Sequence, residues 1–192
     1  MIQIFKNLFP AVISLILLTG PGLVRLIAQT TKPSTTMETF SVKTPAFVPN
    51  GTIPSKFTCD GENISPSLDW AEVPEGTNSI VLIMDDPDAP NGDWVHFILF
   101  NIPPETRHLA ENFKVSNKPG SGMKAGSNSS GKLDYHGPCP PSGTHRYFFK
   151  LYALDILITE PEGITKMELL KAMEGHVLAK GQIIGLYQRK NR

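Results

Sequence analysis

Neither charge sign is in excess in this chain: lysines and arginines number 18, and aspartates and glutamates also number 18. That balance excludes the broad electrostatic attraction by which nucleic-acid binders and membrane-surface binders find their partners. Cysteine is scarce, with two residues in 192, so no more than one internal disulfide can form. No internal repeat is visible. No Ser/His/Asp motif with a nucleophile elbow occurs, and no cysteine or histidine pair has the spacing of a zinc site. The largely apolar run from Leu8 to Leu18 is shorter than the about 20 residues that a membrane span needs.

With 192 residues and 40% hydrophobic content, the chain has enough apolar surface for one well-buried domain and is short for two. Proline at 17 and glycine at 16 make about a sixth of it, which favours a loop-rich β-protein over a helical bundle. The N-terminus stands apart. "MIQIFKNLFPAVISLILLTGPG" offers Lys6, the apolar run and a Gly-Pro-Gly break, the layout of a secretory signal, and export of the domain is expected. A cleavage point near Ala28 fits, although Leu26 and Arg25 depart from the small residues preferred there, so an uncleaved anchor is the alternative. No cysteine follows the run to accept a lipid. The expected organisation is a signal or anchor over 1–28, a linker over 29–39 and one domain over 40–192.

Within the domain, "SIVLIMDD" (79–86) and "WVHFILFNI" (94–102) read as central strands joined by a short turn, hence antiparallel neighbours. "HRYFFKLYALDI" (145–156) reads as a third strand and "GQIIGLYQR" (181–189) as a fourth. "GITKMELLKAMEGHVL" reads as a helix, with Ile164, Met167, Leu169, Leu170 and Met173 at helical spacing and a capping box from Thr165 to Glu168. The Gly/Ser/Pro-rich segment 117–144 reads as a long loop over one end of the sheet.

Period-2 counting puts Trp94, His96, Ile98 and Phe100 on one strand face, and His145, Tyr147, Phe149 and Leu151 together on another. If the strands share a sheet, both histidines reach one end of it, where Asp86 closes the site. Two imidazoles, a phenol, a carboxylate and loop amides suit a small anionic head group, because they bring several donors to one volume. The prolines of "GPCPPSG", Pro140 among them, fix the loop beside Cys139 in advance, so less order is lost on binding. Cys59 and Cys139 lie in separate Gly/Pro-rich loops; either those loops meet and the cysteines pair, or both thiols stay free.

These same segments carry a resemblance. "DDPDAPNGDWVHFILFNIP", "YHGPCPPSGTHRYFFKLYALD" and "FTCDGENISPSLDW" resemble signature segments of the phosphatidylethanolamine-binding protein family, in its bacterial Raf-kinase-inhibitor-like branch, over roughly residues 41–188. The resemblance implies a mainly β fold, with a large antiparallel sheet packed on a smaller one and short helices at the side. It also implies a small pocket for phosphate-like groups, matched here by Asp86, His96, His145 and Tyr147, with "GPCPP" as the Gly-Pro loop. Cys139 stands where eukaryotic members resemble a glycine, the loop is about a residue shorter, and their C-terminal helix is missing or much reduced.

The expected ligand-binding residues are therefore Asp86, His96, Cys139, Pro140, His145 and Tyr147, with no metal, no cofactor and no catalytic residue. Asp88 is expected to shape the turn, and Arg146 to pair with Asp60 or Asp88. His136 is a candidate for the rim, whereas His108 and His176 read as surface residues. Tyr135 and Trp94 fit apolar walls or core equally. Three function classes follow. The first is a module binding a small anion, a lipid head group or a protein side chain presenting such a group. The second is an inhibitor of a protein such as a protease, with "SGMKAGSNSSGK" as its protruding loop. The third is an enzyme using the Asp86, His96 and His145 side chains with Cys59 or Cys139 as nucleophile, or a metal on Cys139, His96 and His145. The first is expected, with binding that strengthens as pH falls through about 6.5, where a free imidazole takes up its proton.

Overall fold

A computed structural model describes residues 38–117 and 120–189. The signal or anchor read over 1–28, and all of the linker read over 29–39 except its last two residues, lie outside the described residues. Among the described residues nine strands form in chain order: β1 (Glu38–Thr39), β2 (Ser41–Lys43), β3 (Leu68–Ala71), β4 (Ser79–Asp86), β5 (Trp94–Ile102), β6 (His108–Leu109), β7 (Lys124–Ala125), β8 (His145–Leu154) and β9 (Val177–Tyr187). One α-helix, α1 (Lys166–Ala172), lies between β8 and β9. β1 takes Glu38 and Thr39, the end of the stretch read as linker, into the sheet beside β9.

The strands make a large sheet in the order β1-β9-β8-β4-β5-β7 and a small one in the order β2-β3-β6. All pairings are antiparallel except that of β1 with β9. β4 is central because its side chains are apolar on both faces, and all eight of its residues are buried. One face, carrying Leu82, Met84, Leu99, Phe149 and Leu151, packs on Val42, Leu68, Trp70 and Leu109 of the small sheet. The other, carrying Val81, Ile83, Ile98 and Phe100, packs on Ile164, Leu169 and Met173 beside α1. Each of these side chains contributes about 1.5–3 kcal/mol by leaving water.

α1 begins where the sequence indicated: the Thr165 side chain accepts from the Glu168 N–H, and the Glu168 carboxylate accepts from the Thr165 N–H at 2.9 Å. Its apolar stripe is narrower than the spacing implied, since Met167 and Leu170 face outward. β9 starts at Val177, four residues before the predicted strand, and β8 ends at Leu154, two residues short of it.

Period-2 counting fails on β5, and the failure matters for the site. The register runs Ile83 to Ile98 and Met84 to Phe97, then jumps to Asp85 opposite Val95, leaving His96 as an extra residue in a β-bulge. Val95 therefore shares the α1 side with Ile98 and Phe100, while Phe97 and Leu99 face the small sheet. His96 does not share the face of Ile98 and Phe100; the bulge turns it to the side of Asp86 and Tyr147. A second irregularity leaves Asn101 with φ 54°, its amide bonded both ways to the Ile158 backbone.

Candidate functional site

β4 ends, and β5 and β8 begin, at one end of the large sheet, so Asp86, His96 and His145 meet there. They line a cleft of about 580 Å³ with Trp94, Ser129, His136, Cys139, Pro140, Pro141 and the turn 89–93.

Asp86 is 4% exposed and His145 7%. The His145 Nδ1–H donates to Asp86 Oδ2 at 2.7 Å, because a carboxylate can only accept, and Asp86 Oδ1 accepts from the Asp88 N–H at 2.9 Å. The carboxylate thus fixes the ring and its tautomer, leaving His145 Nε2 for a ligand. Asp88 is a turn residue, as expected. It takes bonds from Arg146 Nε at 2.9 Å, Nη2 at 2.7 Å and backbone N at 3.0 Å, pinning the β4–β5 turn to β8. The Arg146 guanidinium holds the Asp88 carboxyl down at about 2. Asp60 pairs instead with Arg189 and Tyr187.

His96, 3% exposed, donates from Nδ1 to the His136 carbonyl at 2.5 Å, and the His136 N–H donates back to the His96 carbonyl at 3.0 Å. Its Nε2 has no hydrogen-bond partner among the described residues. Burial pushes His96 down to about 4, the hydrogen bond to His136 opposing the shift. The proton uptake near 6.5 expected from sequence therefore does not apply to His96, which stays neutral across the physiological range.

Tyr147 sits beneath the cleft instead of on its wall. Its ring meets His96 edge-on at 5.2 Å, it is fully buried, and Asp86 is the group beside its hydroxyl. Burial, then the Asp86 charge, raises its pKa, so it remains a hydroxyl.

The opposite wall is the 137–141 loop. Cys59 and Cys139 are joined in a disulfide, with Cα atoms 5.4 Å apart. Cys59 N–H also donates to Pro138 O at 3.1 Å, and Gly137 N–H donates to Asn63 Oδ1 at 2.7 Å. Only glycine fits at 137, since a Cβ there would lie 2.7 Å from Phe57 O. With both cysteines oxidised, neither serves as the nucleophile or metal ligand that the sequence allowed. No cluster of metal-ligating side chains occurs among the described residues.

His136, half-buried, does reach the cleft, its ring 5.9 Å from that of His96 and 6.3 Å from that of Trp94. Burial lowers its pKa, helped by the Lys132 charge. Ser129, Asn91 and Asp93 were not anticipated. Ser129 arrives because its hydroxyl accepts from Val95 N–H at 2.8 Å, a bond between segments 34 residues apart with no signature in the sequence. Tyr135 packs edge-on against Phe97 and donates to Phe57 O at 2.8 Å, a core role. His108 and His176 are exposed and bonded to Asp69 and Asp155, far from the cleft in the fold. The loop proposed to protrude is tied down in part: β7 pairs with β5, and Asn128 bonds to Ser130, Lys132 and Asp134.

The phosphatidylethanolamine-binding protein family model matches residues 43–188. A UPF0098 protein of Methanothermobacter thermautotrophicus is 53% identical over 149 residues, covering 78% of this chain and 99% of that protein. One from Pyrococcus horikoshii is 38% identical over 192 residues, covering 97% and 92%. Among solved structures, a protein from Chlamydia trachomatis described as a putative phosphatidylethanolamine-binding protein homologue superposes with a TM-score of 0.73 at 37% identity, covering 80% of this chain and 99% of that one. YbcL of Escherichia coli does so with a TM-score of 0.73 at 29% identity, covering 79% and 99%. A match over most of the ordered domain, in both sequence and strand arrangement, establishes that this chain belongs to the phosphatidylethanolamine-binding protein family.

Proposed function

We propose that the cleft captures a small phosphate-like head group, free or carried on a lipid, and that the protein acts by binding it. The observation that carries this reading is His96 Nε2, a buried ring nitrogen with no hydrogen-bond partner among the described residues, in the cleft beside the Asp86–His145 pair. A buried polar atom left unpaired costs free energy that a bound ligand recovers. His145, whose ring Asp86 orients through Nδ1, turns Nε2 toward the cleft as the second ring atom a ligand can meet. Pinning of both walls, by Arg146 on Asp88 and by the disulfide on Cys139, supports a site that needs little ordering on binding. Binding without turnover fits a site whose cysteines are joined to each other. The disulfide and the signal-like N-terminus together support an exported protein, since disulfides persist in oxidising compartments. The inhibitor reading gains nothing from its candidate loop, which is stitched to β5.

Titration calorimetry with phosphate, phosphoethanolamine and acetate, on the parent and His145→Ala, tests the reading. The parent should bind the two phosphoryl compounds, and the variant should lose about tenfold in affinity, the worth of about one hydrogen bond in a partly buried site. A folded parent that binds neither phosphoryl compound contradicts it.

A further inference from the structure

The cleft is unusual for an anion site in having no lysine or arginine among its lining residues. Its floor offers an acceptor. Because His96 Nδ1 must donate to the His136 carbonyl, the neutral ring presents a lone pair at Nε2, and that atom is buried without a partner. Charged and titratable groups surround it on every packed element: Asp86 from β4, Asp93 from the turn, His136 from the loop, and His145 and Tyr147 from β8. Asp93 is paired with the Lys166 ammonium and Asp86 accepts from His145 Nδ1–H, and neither Lys166 nor Arg146 is among the residues lining the cleft. A fully ionised oxyanion would therefore set a bare oxygen against a lone pair with no cation in the cleft lining to bond it, which is a costly arrangement in a buried site.

Resting on the head-group reading above, we infer that the cleft selects an oxyanion that still carries a proton, a monoprotonated phosphoryl or phosphonyl group, which donates its O–H to His96 Nε2. Burial holds His96 neutral and so supports the acceptor role. A site that places an acceptor for a ligand hydroxyl rejects the analogue lacking it far more strongly than a site built from cations, which accepts both.

The test compares methyl phosphate, methyl sulfate and methylphosphonate as ligands of the full chain by calorimetry. At about pH 5, below the second ionisation of a phosphate monoester near 6, methyl phosphate and methyl sulfate have the same shape and one negative charge each, and differ by one proton. Methyl sulfate should bind more than about tenfold more weakly, the loss expected when a buried acceptor goes unpaired. Above about pH 6, methyl phosphate affinity should fall with the monoprotonated fraction, and methylphosphonate, whose second ionisation lies higher, should keep its affinity to higher pH. Methyl sulfate binding within tenfold of methyl phosphate at the lower pH overturns the inference and leaves the head-group reading standing. Binding of none of the three removes both.

Discussion

Acidification should unfold this protein in part through His96, and the size of the effect follows from its burial. In the unfolded chain the imidazole takes up a proton near 6.5; in the fold burial delays this to about 4. Between those values the unfolded state binds the extra proton, so the contribution is fully present above 6.5 and is lost as pH falls toward 4. At 1.36 kcal/mol per pH unit the loss is about 3 kcal/mol, a large fraction of the 5–15 kcal/mol typical of a domain. His136 is also lowered by burial and acts in the same direction. Asp88, held near 2, weakens the fold only below the ordinary carboxylate value of 3.8, under this window. Urea unfolding from about pH 7 to about pH 4, with the slope checked for constancy, measures the loss. His96→Gln keeps a side-chain amide near the His136 carbonyl but has no proton to gain, so it should shed about 3 kcal/mol of the parent's acid sensitivity. Equal acid sensitivity in parent and variant would refute the reasoning.

Three further outcomes are expected. Reducing the Cys59–Cys139 disulfide, or replacing both cysteines by alanine, frees an 80-residue separation in the unfolded chain and should cost up to about 4 kcal/mol, read as a lower urea midpoint. Gly181→Ala should destabilise by about 1–3 kcal/mol, because its Cβ would lie 2.1 Å from Phe40 O where β9 passes the chain leaving β1; thermal unfolding reads the difference. Thr165→Ala, which removes the reciprocal cap of α1, should cost about 1 kcal/mol in the same assay and leave ligand affinity unchanged.

Much of this molecule is legible in its sequence. β4 announces itself as a continuous apolar run, α1 by its capping box, and the site by two histidines and an aspartate at strand ends. What was hidden depends on contacts between distant segments. The bulge at His96 adds one residue against β4 and reverses the facing of everything beyond it, which alternation within β5 alone cannot reveal. The small sheet was expected from the family resemblance alone, because β2, β3 and β6 are two to four residues long, too short for a periodic signal, and exist through pairing with one another. The disulfide depends on two loops 80 residues apart meeting. The neutral state of His96 follows from burial against Tyr147 and His136, so an imidazole that sequence offers as a cation becomes an acceptor in the fold.

The most direct test of the head-group cleft is the nitrogen-15 NMR signal of the histidine side chains during titration with phosphoethanolamine. His96 and His145 should shift together and saturably, while His108 and His176, exposed and paired elsewhere, stay fixed as internal controls. Unchanged His96 and His145 signals in the folded protein would contradict the account.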